Sequence, residues 1–235
     1  MAQRAIRAED RLFLGGGRAP DCASDQCRSS SGTVPVNAGA TADRVYEAIK
    51  RRLLSGQVLP GERLDPARFA DDLHASKTPV RDALHRLSGE RLVDTRPGEG
   101  FHLPMVTEPS LRDLYVWNAS LLRLLVGAWP RDSERQTVTH VPVGLGRTPE
   151  TLFGVFAARA GHGEFMRQLE ATNDRLATAR IAEVQVLTGL EIEARSFAEA
   201  LDHAPRAAIL HAIATYHRRR MRVIADLVHT MYQRN

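Results

Sequence analysis

Two fixed positive charges and two hydroxyls fall within six residues at Ser76-Lys77-Thr78-Pro79-Val80-Arg81. At the start of a helix, such a set suits one kind of chemistry. A helix N-terminus with Lys and Thr side chains holds phosphate oxygens. An arginine there reaches a guanine edge through two parallel hydrogen bonds, or clamps a phosphate. Arg63, Arg68 and Arg86 are further cations placed to add phosphate contacts, and Gly98 and Gly100 lie in a turn just downstream. Catalytic patterns are missing: there is no H-E-x-x-H, no glycine-rich phosphate loop and no paired nucleophile and base. No catalytic residue is assigned and no enzyme is expected.

The surrounding pattern supplies the elements that would aim these side chains. From Asp43 a helical period places Tyr46, Ile49, Leu53 and Leu54 on one face, and Gly56 stops it. Asp65-Pro66 reads as an N-cap followed by a first-turn proline, with Phe69, Ala70 and Leu73 as the buried stripe. That helix ends at His74-Ala75. Ser76 then caps a third helix whose Val80, Ala83, Leu84 and Leu87 occupy i, i+3, i+4 and i+7, so Lys77, Thr78 and Arg81 point elsewhere. Val93 to Arg96 alternates, Pro97-Gly98-Glu99-Gly100 turns, and Phe101-His102-Leu103 returns as a short hairpin. Two short helices and a hairpin make a winged helix-turn-helix over 41–104, with its second helix presented to a DNA groove.

Composition neither demands nor forbids this. The 235 residues are 43% hydrophobic and 26% charged with net charge +4. Residues 41–104 hold 11 Lys/Arg against 10 Asp/Glu, so a DNA-binding surface must come from local placement. Residues 1–40, rich in Gly and Ser, read as a disordered head, and their Cys22 and Cys27 as reduced thiols. No run of about 18 apolar residues occurs, so no membrane association is expected, and a cytoplasmic location is.

The stretch from Phe69 to Val93, with Thr-Pro-Val-Arg-x-Ala-Leu at its centre, resembles the GntR family of regulators. Leu54-Ser-Gly-Gln-Val-Leu-Pro-Gly-Glu-Arg-Leu64 and the wing Arg96-Pro97-Gly98-Glu99-Gly100 fit the same family. The resemblance implies that Lys77 and Arg81 stand at DNA-contacting positions and that Gly98 and Gly100 sit in a wing entering the minor groove. His74 replaces the usual glycine of the turn, and histidine tolerates left-handed backbone better than bulky residues do.

Residues 105–235 read as helical at 110–128, 149–160, 164–187, 190–203 and 206–232, with a loop at 131–148. A mainly α chain of this kind is similar to the FadR-like (FCD-type) branch, whose effector and dimerisation domain is a helical bundle. The aminotransferase-like branch is excluded, because Lys50 and Lys77 are the chain's two lysines and neither is left to hold pyridoxal phosphate. Many FadR-like domains bind a metal. Here Glu150 keeps the carboxylate, but Gly154 stands for the next ligand, Arg206 for a histidine, and His229 lies near the last position. No metal and no cofactor are therefore expected. Glu150, Arg206 and His229 become candidates for a small organic acid effector, since a fixed cation attracts an anion. The basic run Arg218 to Arg222 reads as a solvated helix face, and Met221, Ile224, Leu227 and Val228 as core or dimer contacts.

The sequence thus predicts a dimeric, DNA-binding transcriptional regulator on an inverted-repeat duplex, modulated by an effector. Two alternatives stay open: a bundle that only dimerises and senses nothing, or an enzyme built in the bundle.

Overall fold

The computed structural model describes residues 37–129, 152–154 and 158–233. Glu150, the loop at 131–148 and the two cysteines lie outside the described residues. The first helix, α1 (Asn37–Leu54), has its first four residues inside the predicted head of 1–40. It buries Val45, Tyr46, Ile49 and Leu53. Strand β1 (Arg63–Leu64), α2 (Pro66–Asp72), α3 (Lys77–Gly89), β2 (Asp94–Arg96) and β3 (Gly100–His102) follow. The expected hairpin is part of a three-stranded antiparallel sheet in the order β1-β3-β2. Arg63 pairs with His102, and Arg96 with Gly100. A two-residue strand such as β1 has no alternation for a sequence pattern to reveal. His102 is buried at the sheet centre.

The C-terminal half is helical: α4 (Glu108–Ala128), α5 (Gly163–Val186), α6 (Leu190–His203), α7 (Arg206–Arg222) and α8 (Ile224–Met231). Residues 152–154 and 158–160 are also helical. Helix α4 starts with a reciprocal capping box between Thr107 and Ser110. The predicted single helix 206–232 is two, broken at Val223 (φ −114°, ψ 21°). The break turns Ile224, Leu227 and Met231 into one core with Leu111, Leu114 and Leu176, with Met221 and Val228 packed against it, so of the two readings, core or dimer contact, the core one describes these residues.

Two apolar clusters fill the bundle. One holds Leu121, Leu122, Leu125, Phe153, Phe197, Ile213 and Tyr216, the other Leu111, Leu114, Tyr115 and the α8 residues. Between them along α4 comes Asn118, and with it a buried polar layer of Arg180, Glu183, His217 and Arg220. Arg220 belongs to the run read as solvated, yet it is 1% exposed. Its guanidinium donates to Glu183 at 2.9 Å from Nε and to both Glu193 oxygens at 3.1 and 2.9 Å, and it stacks 3.3 Å above the Tyr216 ring centroid. The Tyr115 hydroxyl donates to the other Glu183 oxygen at 2.6 Å.

His217 is the titrating member of this layer. Its Nδ1–H donates to the Ile213 carbonyl at 2.7 Å, and its Nε2 lies 2.9 Å from Asn118 Oδ1, while the buried Asn118 Nδ2 has no partner, so turning the amide over exchanges the two. A neutral ring needs the Asn118 Nδ2 hydrogen at that contact, since Oδ1 would face a second acceptor. Burial pushes the imidazole down to about 4 despite the Ile213 hydrogen bond, and the Arg220 and Arg180 charges push the same way. Unfolded, the ring takes up a proton below pH 6.5 that the folded protein refuses until about pH 4. The neutral site therefore contributes full stability above pH 6.5, and loses about 3 kcal/mol of it as pH falls to 4. Denaturant titrations of wild type and His217→Gln from pH 7.5 to 4 should show a steeper decline for wild type. Parallel curves would place the acid sensitivity elsewhere.

Candidate nucleic-acid interface

Helices α2 and α3 are set by their caps and by the turn between them. The Asp65 carboxylate accepts from the Ala67 backbone N–H at 2.9 Å, and Pro66 occupies the first turn. At the turn His74 has φ 49°, the left-handed conformation that the missing glycine would otherwise supply. Ser76 has extended cap geometry, but its hydroxyl makes no cap hydrogen bond, contrary to expectation. Pro79 sits in the first turn, where its missing N–H has no intrahelical acceptor to satisfy.

Helix α3 then divides cleanly. Val80, Ala83, Leu84 and Leu87 are buried at 0–4% exposure against α1 and α2. Ser76, Lys77, Thr78 and Arg81 are brought together, all exposed, at its N-terminal end. Among the described residues, neither Lys77 nor Arg81 has an ion-pair partner. Their charges are thus available where the helix dipole already favours an anion.

The weaker candidates separate. Arg63 is exposed on edge strand β1, and Arg68 on the first turn of α2. Arg86 does something else: it lies about 140° around the helix from Arg81. Its guanidinium sits 3.7 Å over the Tyr46 ring and 3.6 Å from both Asp43 and Glu90, bracing α3 against α1. In the wing, Gly98 (φ 76°) and Gly100 (φ 86°) need the backbone freedom of glycine, although a Cβ at either would meet no atom within 4 Å. The wing is tied to α3 by Ser88 and Thr95 hydroxyls at 3.2 Å and by the His85 ring edge-on to Phe101.

Of the effector candidates, the two described ones, Arg206 and His229, do not converge. The Arg206 guanidinium donates to the Trp129 carbonyl beside the C-terminal end of α4. His229 is near Tyr232, whose hydroxyl bonds Val106 ahead of the N-terminal end of α4. A 21-residue helix separates the two ends, about 30 Å at 1.5 Å per residue. His229 is exposed and pairs with Gln233, and Gly154 supplies no side chain at its position. These residues do not fit a metal. Among the described residues, no group of three His, Cys, Asp or Glu side chains is arranged to hold one.

Comparison with known proteins bears on the same segment. The sequence profile of bacterial regulatory proteins of the gntR family matches residues 41–103. This segment is similar to the DNA-binding domain of that family. An HTH-type transcriptional regulator of Bacillus subtilis (strain 168), YdhC, is 22% identical over 107 residues, 46% of this chain and 48% of that protein. The Nta operon transcriptional regulator of Aminobacter aminovorans is 39% identical over 62 residues, 26% of this chain and 30% of that protein. The chain thus spans less than half the length of these relatives. Two solved structures share the fold well beyond the gntR domain. E. coli McbR/YncC is 18% identical with TM-score 0.57, over 79% of this chain and 97% of that one. A Rhodococcus sp. RHA1 protein described as a GntR transcriptional regulator is 16% identical with TM-score 0.64, over 79% and 98%. Among the described residues, no helix is long and apolar enough to cross a membrane.

Proposed function

We propose that this chain is a sequence-specific transcriptional regulator of the FadR-like type. It binds double-stranded DNA through 41–104, and residues 105–235 form its effector and dimerisation domain. One observation carries the reading: within the gntR-like segment, α3 buries one face in the core and presents Ser76, Lys77, Thr78 and Arg81, unpaired, on the other. Arg63, Arg68 and the Gly98–Gly100 wing flank that surface as backbone contacts. Arg86 keeps its bracing role. Enrichment of binding sites from random duplexes should return an inverted repeat with a defined half-site. A flat, sequence-independent yield would leave only electrostatic binding.

The inverted repeat requires a homodimer, since a single winged domain reads only a short half-site. Met105, Ile192 and Tyr232 are exposed singly, whereas three exposed apolar side chains cluster on α4: Val116, Trp117 and Leu124 are 50%, 44% and 58% exposed, within about 100° of one another on the helix. A second copy of this face covers them. Light scattering should find a dimer for the wild type and a monomer for Val116→Glu/Leu124→Glu, with operator affinity at least tenfold weaker. A variant that stays dimeric would move the interface off α4. A dimer of this kind acts in the cytoplasm, with the chromosome as its partner.

A further inference from the structure

Where the gntR domain meets the helical bundle, the chain leaves a cleft of about 140 Å³. Both sides contribute apolar walls: Leu53 and Leu54 from the end of α1, Met105 from the connecting segment, and Leu111, Leu114 and Met231 from the bundle. Two guanidiniums also line it, Arg91 and, on α5, Arg175. Among the described residues, neither has an ion-pair or side-chain hydrogen-bond partner. The one carboxylate among the described residues lining the cleft, Asp174, is paired with Lys50 at 2.7 Å. Burial and the Arg91 charge both lower the proton affinity of Arg175, so the two cations are close enough to repel. Arg91 also holds φ 61°, a left-handed conformation that a long side chain rarely adopts.

An apolar cleft with two uncompensated arginines lacks an anion. We propose that this cleft binds a small hydrophobic carboxylate, with its apolar body among Leu53, Met105 and Leu114 and its two oxygens between Arg91 and Arg175. Planar guanidiniums match a carboxylate through paired hydrogen bonds, and the anion removes their mutual repulsion. A cavity of about this volume accepts a benzene-sized group, so benzoate is a fitting probe. Such a guest touches the gntR domain, the bundle and the segment between them. That segment is pinned at Val106, whose N–H donates to the Tyr232 hydroxyl while the hydroxyl donates to its carbonyl. Occupancy therefore sets the angle at which each α3 is presented, and couples ligand to DNA affinity. This regulatory half rests on the DNA-binding reading; the binding half does not.

Calorimetry on the full chain without DNA tests the site. Benzoate should bind saturably, one per chain. Benzyl alcohol, which lacks the charge, and inorganic phosphate, which lacks the apolar body, should each bind at least tenfold more weakly. Arg91→Gln and Arg175→Gln should each weaken benzoate at least tenfold while melting like the wild type. No saturable benzoate binding, equal binding of benzyl alcohol, or undiminished binding in the double variant would overturn the site. Benzoate that binds but leaves operator affinity unchanged would overturn the regulatory coupling alone. Benzoate binding by a protein with no affinity for any duplex would count against the DNA reading instead.

Discussion

Arg220→Met should cost this protein about 3–5 kcal/mol, the usual effect of removing one partner from a buried ion pair. The reason lies in what stays behind. Glu183 has a side chain 3% exposed and Glu193 one 19% exposed, and both direct oxygens at the Arg220 guanidinium. Without it, Tyr115 still donates to one Glu183 oxygen and Arg219 still lies 3.4 Å from Glu193, but the buried Glu183 carboxylate loses its salt-bridge partner. Methionine fills the volume and supplies none of the donors. A loss of that size is a large share of an ordinary folding free energy and lowers the melting temperature by roughly 10 °C or more. Arg220→Lys should fall between, since it keeps the charge and loses the fork that spans Glu183 and Glu193. Adding Glu183→Gln to Arg220→Met should recover part of the loss, because a neutral amide is cheaper to bury than an orphaned carboxylate. Denaturant unfolding of the four proteins measures all of this. An Arg220→Met cost below about 1 kcal/mol would mean that water enters the layer and does the arginine's work.

That layer also shows where sequence reasoning stops. Arg220 sits among Arg218, Arg219 and Arg222, and its neighbours on the chain all argue for solvent. What buries it is Glu183 and Glu193, 37 and 27 residues away, brought in by α5 and α6. Local periodicity carries no information about such a partner. The same limit explains Arg206 and His229: a shared ligand set is a statement about convergence, and the helices carry these two residues to opposite ends of α4. By contrast, α2, α3 and the wing are legible because their signals are local. The Asp65-Pro66 cap, the i, i+3, i+4, i+7 stripe from Val80 to Leu87 and the Gly98 turn each act within a few residues. Even the substitution of histidine for glycine at position 74 is readable, since backbone conformation there is a local demand. The break at Val223 is not, because no proline or glycine marks it. It is imposed by packing Ile224 and Leu227 against α4 and α5.

Arg81→Ala should weaken binding to the preferred operator by about 1–3 kcal/mol for each half-site, and should relax specificity at one base position. In a dimer both half-sites are affected, so the operator complex loses several orders of magnitude while non-specific binding falls much less. Lys77→Ala should behave differently. A lysine on a phosphate contributes equally to every sequence, so affinity drops uniformly. The slope of log affinity against log salt shrinks by about 1 for each phosphate no longer neutralised. Neither substitution should alter folding, since both side chains are exposed and unpaired on the face of α3 away from Val80 and Leu84. Arg86→Ala supplies the contrast. It removes the stacking on Tyr46 and the bridges to Asp43 and Glu90, and so lowers stability slightly with little change in base preference. Fluorescence anisotropy at several salt concentrations, on the operator and on a scrambled duplex, separates the three patterns. If Arg81→Ala and Lys77→Ala both leave operator affinity unchanged, α3 is not the reading helix. The DNA surface would then have to be sought on the wing and the Arg63 edge.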